Sequence, residues 1–391
     1  MRVLIANKFY YRRGGDCVCA IELEKLLKAK GHQVAFFSMQ HPDNLPSVYS
    51  KYFPSEVSFT PGFGMVEAFM RPLGTKEVAE KFSALIDDFN PDVVHLNNIH
   101  TQLSPIIARI AHEKGIKVVW TIHDYKLLCP RYDCLRNGKT ICELCFKDKF
   151  NVIRHCCMKN SFIASLLAYL EARKWNKEKL SLYSDAFICP SEFMGEKMIQ
   201  GGFNKEQIHV VCNFVNTESC VRNYKEKADY YCYIGRLSHE KGINTLISAA
   251  ERLSYKLKII GGGPMMEDLK DKIKDTNIEL VGYKSWDEIK KIVGKARFTV
   301  VPSEWYENNP MSVIESKCLG TPVLGASIGG IPELIETDIS GMLFESRNIS
   351  DLEQKIRAMW NTVFDYEKIA VSSQVKYNAE QYYNKIIKIY Q

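Results

Sequence analysis

The feature that most constrains the fold of this chain is a repeated alternation of short apolar runs with longer helical stretches. In the first half, runs rich in Val, Ile, Leu and Phe are separated by segments of helical periodicity. These runs lie at residues 3–6, 34–37, 93–96, 117–121, 185–189 and 208–214. Strands joined through helices run parallel, because each helical crossover returns the chain to the same end of the sheet. The first half therefore predicts a doubly wound α/β domain.

A second series of the same kind follows a polar stretch at 216–229. Its apolar runs lie at residues 230–234, 257–260, 279–281 and 298–301. The 391 residues are enough for two α/β domains of ordinary size. We place the first domain at 1–214 and the second at 215–375, and we expect a helix within 376–391 to pack back on the first domain. Since ligands bind at the carboxyl ends of parallel strands, two such domains facing each other predict a central cleft.

Composition narrows the classes of function. The 46% of hydrophobic residues excludes a disordered chain, and a net charge of +6 over 391 residues does not indicate a nucleic-acid partner. The first apolar run has four residues, fewer than a signal peptide contains, so we expect a cytoplasmic protein. The longest uncharged apolar stretch, at 161–170, is about half as long as a membrane-spanning helix.

Glycine turns follow several of the predicted strands, where backbone N–H groups can approach a phosphate. The turns are Gly14-Gly15, Gly235-Arg236 and Gly261-Gly262-Gly263-Pro264. No Gly-x-Gly-x-x-Gly follows the first strand, and the P-loop sequence is absent from the chain, which disfavours a dehydrogenase or a P-loop enzyme. Arg236 and Lys241 lie on a loop that runs into a predicted helix, which suits a diphosphate, although a solvated basic loop is the alternative.

Two glutamates stand at the start of a further helix in the second domain. Asn309 is predicted to cap a helix at 311–319, with Pro310 as its first residue. Glu307 lies in the loop before this helix, and Glu315 lies about two turns into it. Both carboxylates are therefore expected to face one cleft.

Together these motifs resemble glycosyltransferase family 4, whose members are retaining enzymes with the GT-B fold. In the second domain the resemblance is carried by Gly235-Arg236, Lys241-Gly242, Gly261-Gly262-Gly263-Pro264, Gly282-Tyr283, the Glu307-x7-Glu315 pair and Gly320-Thr321-Pro322-Val323. In the first domain it is carried by Gly14-Gly15, His95-Leu96-Asn97-Asn98-Ile99-His100 and Thr121-Ile122-His123-Asp124-Tyr125. The resemblance covers nearly the whole chain and implies two Rossmann-like domains of the type found in bacterial cell-surface polysaccharide synthesis.

The resemblance also implies roles for residues of the second domain. Arg236 and Lys241 would hold the donor diphosphate and neutralise charge on the leaving nucleotide. Glu307 and the backbone at Asn308 and Asn309 would contact hydroxyl groups of the donor sugar. Glu315 would bind the ribose hydroxyl groups, and the turns at Gly263 and Tyr283 would contact the base.

Residues of the first domain receive roles in the same way. His123 would contact the sugar, and Gly14-Gly15 would let the donor diphosphate or the acceptor approach. His95 and His100 are candidates for the acceptor side. Members of the family need no divalent metal, and no Asp-x-Asp pair ends a predicted strand here, so we expect no cofactor for catalysis.

A group of cysteines follows the strand that precedes His123. Cys129, Cys142, Cys145 and Cys157 form Cys-x12-Cys-x2-Cys-x11-Cys, which is close to the spacing of a zinc ribbon. Alternative ligands are Cys134, His155 and Cys156. Zinc held by thiolates would be structural, and the other interpretation of 129–157 is a reduced, irregular insertion packed by its thiols.

The segment 147–180 accounts for most of the net positive charge of the chain. It holds eight Lys or Arg residues against three Asp or Glu, an excess of five. Within it, the apolar side chains of 161–170 are spaced along one helical face. Two interpretations stay open: a helix that faces the core, or a basic amphipathic helix that rests on an anionic membrane.

We therefore expect a retaining hexosyltransferase that moves a sugar from a UDP or GDP donor to a saccharide or polyprenyl-linked acceptor, in the cytoplasm or at the inner face of the cell membrane. One rival is another GT-B enzyme, such as a sugar phosphate synthase or a nucleotide-sugar hydrolase. A second is a zinc-ribbon binding protein, which predicts salt-sensitive binding to nucleic acid. The motifs of the second domain argue against this second rival.

Overall fold

The chain divides into two compact units, which are described separately. The computed structural model describes residues 1–57, 68–217, 220 and 226–391. Unit 1 comprises Met1–Val211 and Tyr383–Gln391, and unit 2 comprises Cys212–Tyr382. The sequence placed the two divisions at 214/215 and 375/376. Of the polar stretch expected to separate the domains, residues 218–219 and 221–225 lie outside the described part of the chain.

Unit 1 is built on a six-stranded parallel sheet. The strands of the unit are β1 Arg2–Ala6, β2 Gln33–Phe37, β3 Val93–Leu96, β4 Lys117–Thr121, β5 Leu135–Arg136, β6 Thr140–Ile141, β7 Ala186–Cys189 and β8 Ile208–Val210. The sheet has the order β2-β1-β3-β4-β7-β8, whereas β5 and β6 form a separate antiparallel hairpin. Val3, Leu4, Ile5 and Ala6 of β1 have no exposed surface, as in a strand covered on both faces.

Helices connect these strands and supply the cover. In unit 1 they are Gly15–Ala29, Lys76–Phe89, Ile106–Glu113, Leu144–Lys147, Asn151–Arg154, Phe162–Lys174, Lys177–Leu182 and Glu192–Gln200. The strand predicted at 208–214 ends at Val210, where pairing with β7 stops. The closing helix is Ala379–Tyr390. Within unit 1 its residues Tyr383 and Tyr390 contact His32 and His95 through their hydroxyl groups.

Unit 2 repeats the architecture with a second six-stranded parallel sheet. Its strands are β9 Tyr230–Ile234, β10 Lys256–Ile260, β11 Ile278–Gly282, β12 Thr299–Val301, β13 Val323–Ala326 and β14 Gly341–Phe344, in the order β11-β10-β9-β12-β13-β14. Its helices are Ile243–Ala250, Met266–Lys272, Trp286–Lys295, Met311–Cys318, Ile349–Asn361 and Tyr366–Lys376. Strands β13 and β14 and the helices Ile349–Asn361 and Tyr366–Lys376 were not predicted from the sequence.

Each sheet has one point at which the strand order reverses. In unit 1 it lies between β1 and β3, and in unit 2 between β9 and β12. Loops that leave neighbouring strands in opposite directions open a crevice at such a point, where doubly wound sheets bind their ligands. The sequence motifs that follow β1, β3, β9 and β12 therefore lie where ligand binding is expected.

The helix Phe162–Lys174 exposes part of its apolar stripe, namely Phe162, Ile163 and Leu170. Leu166 and Leu167 are half-buried, and Leu166 packs against a buried cluster, so the stripe faces the core only in part. Ser165, Ala168 and Glu171 are buried, whereas Phe162 and Ile163 are 59% and 65% exposed. Glu171 lies inward because it forms an ion pair with Lys126 at 2.8 Å. In the part of the chain that the structure describes, no helix is both long and apolar enough to cross a membrane.

Candidate active site

Two loops of unit 2 pack against each other next to the point where its strand order reverses. One follows β9 and ends at Gly242, and the other follows β12 and begins at Pro302. Gly242 has φ +70°, and a Cβ atom there would lie 1.8 Å from the carbonyl oxygen of Pro302. The backbone N–H of Glu304 donates to the carbonyl of Glu240 at 2.8 Å. Only glycine fits at 242, and this close approach brings the two predicted charged segments together.

The centre of this site is an ion pair between Lys241 and Glu307. Lys241 Nζ lies 2.6 Å from Glu307 Oε1, and both side chains are largely buried. Ser303 Oγ and Trp305 Nε1 donate to the same oxygen at 2.6 and 2.9 Å. Burial favours the neutral acid, but the Lys241 charge and these hydrogen bonds together hold the pKa of Glu307 below its usual value. Three donors thus converge on Oε1, and Oε2 has no partner among the described residues.

Sequence reasoning gave no role to Ser303 or Trp305, although it grouped the glycine turn at 329–330 with the motifs of this domain. The Trp305 ring lies 5.0 Å from Lys241 Nζ and helps to position the ammonium group. Gly329 has φ +60°, and a Cβ atom there would lie 2.3 Å from the Glu307 carbonyl oxygen. The backbone N–H of Gly330 donates to that oxygen at 2.7 Å. Ser303 and Trp305 precede Glu307 by four and two residues. This closeness in the sequence was the only signal that could have identified them.

Arg236 and the Gly261-Gly262-Gly263 turn follow the ends of β9 and β10, and Arg236 lies on the same loop as Lys241. Arg236 is exposed, and its guanidinium forms no ion pair within the described ranges. Gly263 packs on the backbone of Leu237, where a Cβ atom would lie 2.5 Å from the carbonyl oxygen. Tyr283, after β11, is 86% exposed. Arg236 and Tyr283 are therefore available to a ligand, and the glycine allows the two turns to interlock.

The next helix of unit 2 begins differently from the prediction. The helix is Met311–Cys318, and Pro310 occupies the N-cap position. Asn309 was predicted as the cap, but its side-chain oxygen instead accepts from the backbone N–H of Asn213 at 3.2 Å. The neighbouring Asn308 makes other contacts. Hence the Asn309 side chain supports the 212–213 segment, and its backbone carbonyl also accepts from the Asn213 side chain at 3.4 Å.

Glu315 lies within this helix as a carboxylate without a charged partner. Its side chain makes no hydrogen bond or ion pair with any residue that the structure describes, and no lysine or arginine offsets its burial. Burial alone raises the pKa of Glu315 to about 7. A carboxylate of this kind can accept hydrogen bonds from ligand hydroxyl groups.

In unit 1, His123 belongs to a polar network at the ends of β3 and β4. Its Nε2 lies 2.9 Å from Asn97 Oδ1. Burial, opposed by Asp16 and aided by Lys8, lowers the pKa of His123 to about 4, so the imidazole is neutral at pH 7. The side-chain nitrogen of Asn98 donates to Asp16 at 3.0 Å and to Asp124 at 3.3 Å. His123 can therefore contact a substrate as a neutral hydrogen-bonding group and not as a cation.

The turn at Gly14-Gly15 opens the long helix that follows β1. Gly14 is the N-cap of Gly15–Ala29, and both glycines are exposed. A Cβ atom at Gly15 would meet nothing within 4 Å. The space beside Gly15 at the start of this helix is therefore open, which agrees with the predicted approach of a ligand.

The two candidate acceptor-side histidines behave differently. His95 is fully buried, and its two ring nitrogens lie 2.5 Å from the Tyr390 hydroxyl and 2.7 Å from the Thr121 hydroxyl. Both nitrogens are used inside unit 1, so the expectation that His95 contacts an acceptor is wrong. His100 stacks on Trp120 with ring centroids 5.3 Å apart and lines two cavities. His100 therefore stays a candidate.

Three cysteines of the insertion, Cys129, Cys134 and Cys145, lie close together. In the described ranges, no group of three or more His, Cys, Asp or Glu side chains is arranged to hold a metal ion. Cys129 is hydrogen-bonded to Cys134 and Cys145, and these contacts lower its pKa. Cys134 was only an alternative ligand, while Cys142 and Cys157 are not part of this trio. Zinc binding by 129–157 stays a prediction, without a matching arrangement of ligands.

Comparison with known proteins adds to this picture. A family model described as Glycosyltransferase Family 4 matches residues 13–219, and one described as Glycosyl transferases group 1 matches residues 216–370. The chain is 26% identical over 355 residues to an uncharacterized 42.6 kDa protein in the cps region of Klebsiella pneumoniae, with 85% of this chain and 87% of that protein covered.

Two further relatives match over shorter stretches. The uncharacterized glycosyltransferase MJ1178 of Methanocaldococcus jannaschii is 31% identical over 183 residues, which cover 46% of this chain and half of that protein. The amylovoran biosynthesis glycosyltransferase AmsK of Erwinia amylovora is 26% identical over 228 residues, which cover 54% of this chain and 56% of AmsK. This chain therefore aligns with only about half the length of each of these two relatives.

Solved structures establish the fold. HepE of Anabaena, solved in complex with UDP, has a TM-score of 0.70 at 15% identity, with 100% of this chain and 99% of HepE covered. HepE has also been solved with UDP-glucose. Two parallel α/β units of this kind have the GT-B fold, as the sequence predicted. The family model that covers just over half of the chain makes the assignment specific: the chain belongs to glycosyltransferase family 4.

Proposed function

We propose that this glycosyltransferase moves a sugar from a nucleotide diphosphate donor to a saccharide acceptor in polysaccharide synthesis, with retention of the anomeric configuration. The single observation that carries the proposal is the Lys241–Glu307 pair, whose lysine lies on the same loop as the exposed Arg236. The naming of AmsK for amylovoran biosynthesis supports a polysaccharide product, and the UDP-glucose complex of HepE supports a UDP donor.

The geometry of unit 2 suggests how the donor is used. Arg236 and Lys241 neutralise the charge that develops on the leaving diphosphate, because fixed cations act most strongly where little reorganisation is needed. The unpartnered Oε2 of Glu307 accepts from a hydroxyl group of the sugar, while Oε1 keeps Lys241 in place. The exposed ring of Tyr283 stacks on the base. In unit 1, neutral His123 contacts the sugar.

The proposed reaction balances without a metal or a redox partner. The bond between the anomeric carbon and the diphosphate oxygen breaks, and the acceptor oxygen bonds to the same face of that carbon. The acceptor hydroxyl gives its proton to the leaving diphosphate. The products are a nucleoside diphosphate and a saccharide longer by one sugar residue.

The experiment that tests this proposal measures nucleoside diphosphate release with and without saccharide acceptors, followed by NMR of the product's anomeric proton. Acceptor-dependent release with retained configuration supports the proposal. Release that is equally fast in water alone indicates a nucleotide-sugar hydrolase. Release that depends on a sugar phosphate as the final acceptor, giving a phosphorylated disaccharide, indicates a sugar phosphate synthase.

Donor binding should depend on pH through Glu315. Ribose hydroxyl groups donate to the ionised carboxylate, so binding favours the form that predominates above the pKa of about 7. The Kd for a UDP-sugar should be about tenfold higher at pH 6 than at pH 8, since the ionised fraction changes by about that factor. Calorimetry at both pH values checks this, and Glu315→Gln should remove the difference. The same pH dependence in the variant would rule out Glu315 as its source.

We further propose that unit 1 binds an anionic membrane through the helix Phe162–Lys174. Phe162 and Ile163 are exposed at its start, and Arg173 and Lys174 are exposed at its end. Apolar side chains beside cations match the boundary between acyl chains and anionic headgroups. This contact would bring the enzyme to a polyprenyl-linked acceptor.

Vesicle co-sedimentation tests the membrane contact. Phe162→Ser with Ile163→Ser should weaken binding to phosphatidylglycerol vesicles about tenfold or more, because two partly exposed apolar side chains lose their burial in lipid. Val363→Ser with Val371→Ser, two exposed positions of unit 2, is the matched control and should leave binding unchanged. Wild-type protein that stays in the supernatant at low salt would refute the proposal.

A further inference from the structure

A second cavity in unit 1 lies next to the cavity lined by His123. The two cavities share His100 and Leu127 as lining residues. The second is also lined by Lys126, by Lys149 of the cysteine-rich insertion, and by Glu171, Trp175 and Lys177 from the two helices after the insertion and the junction between them. It has about 30 Å³ of space for the centres of water molecules, which is room for about two. A space of this size takes one substituent of a ligand, not a whole sugar ring.

The charges that line the second cavity are unbalanced. Lys126 forms a buried ion pair with Glu171 at 2.8 Å and also donates to the carbonyl of Pro130. Lys149 donates to the carbonyls of Leu127 and Leu128, which carry no charge to offset its own. Lys177 forms no ion pair with the residues that the structure describes. Three ammonium groups and one carboxylate leave two positive charges without a counter-charge from this set.

Glu171 also has an unused acceptor. Its Oε2 binds Lys126, while its Oε1 is buried and lacks a hydrogen-bond partner among the described residues. A buried carboxylate oxygen without a donor is costly, and a ligand or an ordered water normally satisfies it. A hydroxyl group is the donor that would complete Glu171 without adding a further positive charge.

We propose that this cavity is the subsite for an anionic saccharide acceptor. It receives a phosphate or carboxylate substituent on the ammonium groups of Lys149 and Lys177, which have no carboxylate partner among the lining residues, and the adjacent sugar hydroxyl on Glu171. The inference rests on the proposed function, since it assigns part of the acceptor to the cavity that adjoins His123. It gives the cysteine-rich insertion a role in acceptor choice, because Lys149 lies within it.

Binding measurements on the full chain test the subsite with glucose 1-phosphate, glucuronate, glucose and inorganic phosphate as probes. Glucose 1-phosphate or glucuronate should bind more tightly than neutral glucose, and the tighter of the two shows which anion the acceptor carries. Lys177→Gln should raise the Kd of that probe at least about fivefold, since it removes one direct charge contact. Lys177 is exposed, so this variant should fold normally.

Lys179→Gln is the matched control, because Lys179 lies on the same short helix, is exposed and does not line the cavity. It should bind the anionic probe like the wild type. Arg236→Ala tests whether the probe instead occupies the phosphate site of unit 2. A response lost in Arg236→Ala but kept in Lys177→Gln would overturn the proposal, as would equal binding of glucose and glucose 1-phosphate. Binding of UDP, measured in the same samples, reports on the proposed function independently of this subsite.

Discussion

Lys241→Ala should lower turnover at saturating donor by about 100-fold or more. The ammonium group is held by Glu307 at 2.6 Å and by the Trp305 ring at 5.0 Å, so it is in place before charge develops on the leaving diphosphate. Loss of one such preorganised group typically costs two to three orders of magnitude in rate. Steady-state kinetics with the identified donor measures the effect.

Folding should not account for this loss. In Lys241→Ala, the Glu307 carboxylate keeps the hydrogen bonds from Ser303 and Trp305. Arg236→Ala offers a second route to the same test, since Arg236 is exposed and its removal breaks no described ion pair. Lys270→Ala, an exposed lysine on another helix of unit 2, is the control and should retain full turnover. Wild-type turnover in either Lys241→Ala or Arg236→Ala would refute the role assigned to that residue.

Glu307→Ala should lower kcat/KM for the sugar donor about 10- to 100-fold and leave the affinity for free UDP within about threefold of wild type. The variant removes the proposed hydrogen bond from Oε2 to the sugar, and hydrogen bonds to charged groups are worth factors of this size. It also releases Lys241 from its partner. Kinetics with the sugar donor and calorimetry with UDP separate the two effects.

The contrast with neighbouring carboxylates makes this prediction specific. Glu304 lies on the same loop but binds Thr245 Oγ1 at 2.6 Å, so Glu304→Ala carries the same change of charge without the proposed sugar contact. It should leave kcat/KM largely unchanged. Glu315→Ala should show the opposite pattern from Glu307→Ala, with weaker binding of UDP itself. Equal losses of UDP affinity in the Glu307 and Glu315 variants would show that their roles are wrongly assigned.

The sequence predicted both parallel sheets because most of their strands are continuous apolar runs. Strands β13 and β14 were not predicted, because Gly325 interrupts the short apolar run of β13 and Gly341 begins that of β14. Gly325 is needed because a Cβ atom there would lie 2.5 Å from Ile335. Local pattern cannot show such a tertiary contact, so the strand signal was weak at these positions.

For side-chain roles, too, the sequence predicted the segments that matter but not the contacts between distant residues. The segments that carry Lys241 and Glu307 were found from their motifs, but their direct contact spans 66 residues and is set by the approach of two loops. His95 looked available at a strand end, yet Tyr390 binds it from 295 residues away. In the helix Phe162–Lys174 the apolar spacing was read correctly, while the buried side was decided by the partner of Glu171. Spacing identifies a face, and only tertiary contacts decide which face is covered.

The measurement that most directly tests the central claim is thermal unfolding of the full chain with a panel of UDP- and GDP-sugars. A ligand that binds only the folded state raises the free energy of unfolding by mass action, by about 2.7 kcal/mol at a concentration 100 times Kd. The Tm rises accordingly. We predict that at least one nucleotide-sugar, most strongly a UDP-sugar, raises the Tm of the wild type. The same ligand should raise the Tm of the Arg236→Ala, Lys241→Ala double variant by a much smaller amount. No shift with any member of the panel, or an equal shift in the double variant, would contradict the account.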